Sequence, residues 1–534
     1  MGAGIRQGCP LSPLLFVVAV DGLIRRAGLE IEGLVLRMFA DDTAAVVQNL
    51  IRDGKRLQRM FRELQVAADL ALHDKKCIVV PLTDEAHARV RARIEEGIPE
   101  WRQMTVQSHG KYLGFAVGPG KQHRSWEEAI KKTSRQVEAW NWAPLGLYFA
   151  TMVWNVFVLP ILLFVAQLES PPPAIHEHIS KWLRRAGHGP GNWCSKEDLL
   201  HLRRGLGFRS EFKDVTVIAK AAMFRTTCWE DRSSGGLAAT ARSARLKATY
   251  SNTRFFYRSR ELGEWFDRAF VHQLAANSGS IRQDHGISQL GLEDFLADGE
   301  PRPWSRNTLH KVRARFQKSV TGRLQEHSRY VAEERVRHNL HRFGYRDRRE
   351  AARALDRLQQ LGKSAPPRVW AAVFGSLWNR WATARRCQRT NSRCLLGCTW
   401  GEDSLEHYSK CPTVHQFAKK RLHLKCRFAP AAAYWFFIAP NDAETTRHQW
   451  WDRMALLQYA VLRTTNAARI SGSIQGEEAE RALWQAALEG SRDSQVLRAV
   501  REAGVAPPAL SAEETAQIRQ LPPEGRVQHL LRLL

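Results

Sequence analysis

Between Val35 and Val47 the chain sets short apolar runs on either side of a polar centre, Leu36-Arg-Met-Phe-Ala-Asp-Asp-Thr-Ala-Ala-Val-Val47. Val35, Thr43, Val46 and Val47 are β-branched and suit extended strands, while the adjacent Asp41 and Asp42 suit a tight turn. The pattern predicts a β-hairpin with two carboxylates at its tip. Ahead of it, Leu14, Leu15, Val18 and Leu23 follow a helical spacing behind Pro13. Ser12 is placed to cap that helix and Gly28 to stop it. Gly8 allows a close backbone approach before it, and Pro10 stiffens the turn.

Further on, Leu57, Met60, Phe61, Leu64 and Ala68 predict a helix over 53–71, after which 70–80 becomes a β-rich run. Lys111-Tyr-Leu-Gly-Phe-Ala-Val-Gly118 reads as strand material that bends at Gly114. Residues 125–168 predict two or more helices. Their uncharged part, 143–168, is long enough to span a bilayer, but Asn155 and Pro160 interrupt it and favour a buried helix pair. Breaks follow at 169–174, 187–191 and 365–368, with loops at 232–236 and 277–280. Trp370, Phe374, Trp378 and Trp381 keep helical spacing and form a core stripe. The tail from Pro430 is mainly helical.

Composition changes this picture in one respect. The 534 residues carry a formal net charge of +26, which implies an acidic partner, most often nucleic acid. A hydrophobic fraction of 44% with 18 Trp excludes wholesale disorder. Nine Cys without framework spacing do not form a disulfide scaffold, so a reducing, intracellular setting is expected, nuclear or cytoplasmic. Leu11 to Val20 imitates the apolar part of a signal peptide, yet no small-x-small cleavage site follows and no secretion signal is read.

Three stretches carry candidate chemistry. Asp41 and Asp42 offer oxygen ligands to Mg²⁺, which takes carboxylates together with substrate phosphates; the bland alternative is a turn that only closes a hairpin. Cys394-Leu-Leu-Gly-Cys398 and His407-Tyr-Ser-Lys-Cys411 each hold two ligands with three residues between them. Two such pairs across a short loop predict a closed Cys₃His site for structural Zn²⁺; buried free cysteines are the alternative. Cys387 is a remote extra ligand and His415 a rival to His407. Between 301 and 350, Arg302, Arg306, Lys311, Arg313, Arg315, Lys318 and Arg323 alternate with Trp304, Phe316, Tyr330, Phe343 and Tyr345. Cations with aromatics free to stack form a nucleic-acid track, represented by Arg313, Arg315 and Lys318; a salt-bridged exposed helix is the alternative.

The strings Gly4-Ile-Arg-Gln-Gly-Cys-Pro-Leu-Ser-Pro13 and Met38-Phe-Ala-Asp-Asp42, in this order, resemble the palm of reverse transcriptases of non-LTR (LINE-type) retrotransposons. The resemblance implies an α+β palm remnant of a right-hand polymerase, followed by mainly α-helical thumb and C-terminal regions with a small zinc knuckle. It implies Asp41 as the direct Mg²⁺ ligand with Asp42 assisting, and Gln7, Gly8 and Pro10 shaping the nucleotide and template pocket. Phe39 would floor that pocket and Lys76 would approach the triphosphate, unless Lys76 is a solvated turn residue. Tyr112, Leu113 and Gly114 would form the primer grip. Partners would be an RNA template, a DNA primer and deoxynucleoside triphosphates, with no membrane; the sequence names no protein partner.

The expected divisions are a partial palm over 1–120, a thumb-like region over 121–190 and a basic helical connector over 191–380. A zinc knuckle over 381–430 and a helical tail over 431–534 complete them. Nothing before Gly4 matches the fingers or the first metal-binding strand of the family, so an N-terminally truncated polymerase is expected. A non-enzymatic nucleic-acid-binding relic is the rival reading, and a basic membrane-surface protein a third.

Overall fold

The computed structural model describes residues 11–83, 85–230, 306–326, 330–389, 393–424, 431–440, 445 and 450–491. Gln7, Gly8, Pro10, Arg302, Trp304 and the loops expected at 232–236 and 277–280 lie outside them, as does the side chain of Arg313. The chain divides into two compact units. One comprises 1–132, 161–173 and 216–327, the other 133–160, 174–215 and 328–534.

In the first unit, helix Ser12–Glu30 leads into strands Val35–Phe39 and Asp42–Val46, and helix Leu50–Ala68 follows. The first helix includes Ser12, and Leu11 takes the cap position without a side-chain hydrogen bond. Proline is tolerated at either of the first helical positions, so Pro13 does not force Ser12 outside. Asn49 caps the next helix by accepting from the Arg52 N–H at 3.0 Å, and Asp53 accepts in return from the Asn49 N–H at 2.9 Å. Leu36 projects from the hairpin into a core with Ala27, Ile31, Leu57, Met60, Val90, Ile94 and Trp101. Burying one face of each element there fixes the register of the hairpin.

The strands form three two-stranded sheets, with no larger sheet among the described residues. The β-rich run expected at 70–80 contributes Ile78–Val79, which pairs in parallel with Thr105–Val106. Helix His87–Gly97 supplies the crossover that such a pairing needs. Gly110–Tyr112 and Phe115–Val117 form the last hairpin.

Residues 146–166 are one helix rather than the expected pair. It widens to a π turn over Trp154–Val158, directly ahead of Pro160. In a regular helix the proline ring would collide with the carbonyl four residues back, and the wider turn keeps the helix continuous. Among the described residues this is the one helix long and apolar enough to cross a bilayer, and half of its most apolar window is buried. In the second unit, Asn155 donates to the Glu211 carbonyl at 2.9 Å and accepts from the Lys213 N–H at 3.1 Å.

That unit is built on the tryptophan stripe. Trp370, Phe374, Trp378 and Trp381 are all buried, as the spacing requires, and Trp370 Nε1 donates to the Leu358 carbonyl at 2.9 Å. Helices Arg348–Ser364, Pro367–Leu377, Trp450–Ser471 and Gly476–Ser491 enclose them. Asp347 and Glu350 close a reciprocal capping box at the start of the first.

The basic stretch corrects one expectation. In helix Arg306–Glu326, Arg315 and Lys318 are exposed, but Phe316 is fully buried with Val320 and Leu324 against Ala221 and Phe224. Tyr330 stacks on His201 at 4.6 Å and donates to Asp198 at 2.7 Å, and Phe343 packs on Phe436 at 4.1 Å. Phe316 belongs to a core, and Tyr330 and Phe343 are half-buried against partners of their own, so none of the three is a free platform for a base. Aromatics that alternate with cations at helical spacing mark an amphipathic helix as readily as a stacking surface.

Candidate functional site

The Asp41–Asp42 hairpin turns in two residues. Phe39 pairs with Asp42, leaving Ala40 and Asp41 as the loop, and Ala40 has φ 51°. Such loops follow the twist of their strands only with a positive φ, which alanine adopts at a cost. Asp41 therefore sits in the turn and Asp42 opens the return strand, both exposed, beside a Phe39 that is 67% exposed. Mg²⁺ binds through one or two carboxylates plus substrate phosphates, so this pair fits the ion.

Among the described residues the two acids join no third possible ligand. Asp21, on the preceding helix, is held by Arg25 at 2.6 Å.

The second hairpin reaches the first. The Tyr112 hydroxyl donates to the Arg37 carbonyl at 3.4 Å, linking strand Gly110–Tyr112 to strand Val35–Phe39. Leu113 and Gly114 form its loop with φ 48° and 85°, which places Leu113 at the tip. A buried relay anchors the return strand. The Ala116 N–H donates to Ser125 Oγ at 2.8 Å, and that hydroxyl donates to Glu169 at 2.8 Å, with Lys121 Nζ 3.5 Å from the same carboxylate oxygen. Lys76 is exposed at the end of a single 3₁₀ turn, Asp74–Lys76, just before strand Ile78–Val79. The structure thus brings Phe39, Asp41, Asp42 and Tyr112 onto two touching hairpins.

The Cys/His cluster lies in the second unit. One ligand atom from each of Cys394, Cys398, His407 and Cys411 lies within 4.8 Å of all the others. Cys394 and Cys411 sulfurs are 3.9 Å apart, and Cys398 Sγ is 3.1 Å from His407 Nε2. Zn–S bonds of about 2.3 Å set the sulfurs of one tetrahedron roughly 3.8 Å apart, so the donor set fits Zn²⁺. Hydrogen bonding from Cys411 holds the Cys394 thiol well below its ordinary range, while burial pushes Cys398 up. Cys387 is exposed and outside the cluster. His415 is also outside it, with Nε2 3.2 Å from the Ser409 carbonyl, and burial lowers its pKa. His407 is the histidine of the site.

Two supports escaped the sequence reading. A Cβ on Gly401 would stand 2.0 Å from the His407 ring, so only glycine lets the imidazole lie there. Asp403 is buried and accepts from the Ala384 N–H at 2.9 Å, Tyr408 Oη at 2.8 Å and Arg469. A carboxylate between two ligand pairs has no sequence mark that separates it from a surface acid.

A carboxylate pair exposed at a hairpin tip, beside a second hairpin that can meet a substrate, is suited to metal-assisted phosphoryl transfer. Residues 2–117 match the family described as reverse transcriptase (RNA-dependent DNA polymerase). The matched stretch runs from the segment around Gln7 to the last residue of strand Phe115–Val117, and so takes in both hairpins and Lys76. It supports a palm-like fold and RNA-directed DNA polymerase activity in general. No solved structure matches the chain.

Proposed function

We propose that the chain acts as an RNA-directed DNA polymerase of the non-LTR, LINE-type class. The observation that carries this reading is the matched stretch 2–117 together with the acid pair at its hairpin tip. Asp41 and Asp42 hold Mg²⁺, which when bound neutralises developing charge on the phosphates. Phe39 lies beside the incoming nucleotide, and Gln7, Gly8 and Pro10 shape the pocket around it. Lys76 faces the triphosphate. Tyr112, Leu113 and Gly114 seat the primer end, held in place by the Ser125–Glu169 relay. Zn²⁺ at Cys394, Cys398, His407 and Cys411 is structural.

Two-metal transfer gathers several carboxylates around the two ions, and the hairpin tip supplies two, with no third possible ligand among the described residues. The polymerase site therefore takes a further acid from another segment. Primer extension tests the reading, with the chain alone and with a palm segment of a LINE-type relative added. Extension in the second case, lost in Asp41→Asn, supports it. No extension in either case favours the rival, a nucleic-acid-binding protein that keeps the palm fold, to which an acid pair with no third possible ligand among the described residues also points.

A further inference from the structure

A basic groove in the second unit belongs to neither site. It encloses about 810 Å³ between the turn segment 201–209 and the last turns of helix Arg348–Ser364. Its floor is a close backbone crossing. A Cβ on Gly362 would stand 1.7 Å from the Gly207 carbonyl oxygen, and Gln359 donates to the Gly205 carbonyl at 2.8 Å. The crossing fixes the rim charges on a rigid frame.

Among the described residues, Arg203, Arg204, Arg209 and Lys363 line the groove against one acid, Asp356. Arg204 is paired with Glu211, 3.3 Å away. Arg203, Arg209 and Lys363 are exposed and have no acidic partner among the described residues. Among the described residues Arg209 donates to the Ala365 carbonyl alone, at 3.4 Å, which also offsets the negative end of the helix. The volume is that of a small-molecule pocket, yet such pockets are lined mainly by apolar and aromatic groups. Here Phe208 is the one aromatic among the described lining residues, and it is buried. With no surface for a base to stack on, the groove suits phosphates and not a nucleobase.

We propose that this groove binds the phosphodiester backbone of a nucleic-acid strand, with Arg203, Arg209 and Lys363 on its phosphates. The proposal is independent of polymerase chemistry, so its test uses the full chain carrying Asp41→Asn. Lysine acylation read by mass spectrometry should show Lys363 protected by a mixed-sequence single-stranded RNA and re-exposed at high salt. Arg203→Glu with Lys363→Glu should lower the slope of log affinity against log salt by roughly 1.4, at about 0.7 per phosphate contact on a single strand. The matched control, Arg89→Glu with Arg102→Glu on the other unit, changes net charge equally and should change the slope less. Should the double variant misfold, the acylation footprint alone decides. An equal fall in the control, an unchanged slope where the variant folds, or an unprotected Lys363 overturns the proposal. Protection of Lys363 by inorganic tripolyphosphate but not by the strand also overturns it, since the occupant is then free phosphate.

Discussion

Arg469 closes a two-pronged ion pair on Asp403, with Nη2 2.6 Å from Oδ1 and Nε 3.1 Å from Oδ2. Both side chains are largely buried, and Asp403 also takes hydrogen bonds from Ala384 and Tyr408. The pair ties the cysteine–histidine loop to helix Trp450–Ser471. Removing one partner leaves the other charged and uncompensated, which typically costs about 3 to 5 kcal/mol. Asp403→Ala should lower the unfolding free energy of the second unit by that order, measured by urea denaturation followed through tryptophan fluorescence.

The Cys394, Cys398, His407 and Cys411 set should bind one Zn²⁺ per chain, measured by metal analysis of the purified protein. Structural zinc supplies folding energy, so Cys398→Ser should release the metal and increase proteolysis around residues 393–411. Gly401→Ala should do the same without removing a ligand, because the added methyl displaces His407. Full zinc retention in Gly401→Ala would show that the loop yields.

Asp41→Asn should abolish the extension that an added palm segment restores, because it removes a carboxylate that would hold Mg²⁺. Robust Mg²⁺-dependent extension by the chain alone would mean that an acid outside the described residues already completes the cage.

Binding should weaken steeply with salt. Reversing Arg313, Arg315 and Lys318 on helix Arg306–Glu326 should flatten the plot of log affinity against log salt. The buried Phe316 face shows that this helix is anchored, so the exposed Arg315 and Lys318 are held in fixed positions. An unchanged slope would make them a solvated face only.

Asp53 gives a pH signature. Its hydrogen bond from Arg52, with the N–H of Asn49 adding to it, holds its pKa below the ordinary carboxylate value. A lowered folded-state pKa contributes stability that is fully present above the unfolded value, about 3.9, and lost as pH falls through the folded one. Asp53→Asn should therefore be less stable than the parent at neutral pH, with the gap closing below about pH 4. A gap that persists to pH 2 would assign the effect to packing.

The hairpin and its acids were legible because alternation and a polar turn residue pair are local marks, and Leu36 alone needed the core to set its face. The Cys/His cluster was legible through spacing. Local marks failed where a long-range partner decides. The pairing of Ile78–Val79 with Thr105–Val106 depends on a crossover helix. Phe316 and Tyr330 alternate with cations just as stacking residues do, yet each meets a core partner. Pro160 signals a break in any helix, and only packing shows that a π turn absorbs it. Asp403, Gly401 and the Gly207–Gly362 crossing leave no pattern, because each is defined by atoms far away in sequence.

Ala40 carries a consequence for how this protein can diverge. Its backbone sits at φ 51° immediately before the acid pair, where glycine or asparagine is accommodated and a β-branched residue is heavily penalised. Ala40→Gly relieves up to about 1 kcal/mol of steric cost, whereas Ala40→Val has no comfortable conformation. In a randomised library, position 40 would admit few residues although its side chain is exposed. Intolerance there would register the shape of the turn and not any contact of the methyl group, so a site that touches nothing would behave as one of the most restricted in the chain.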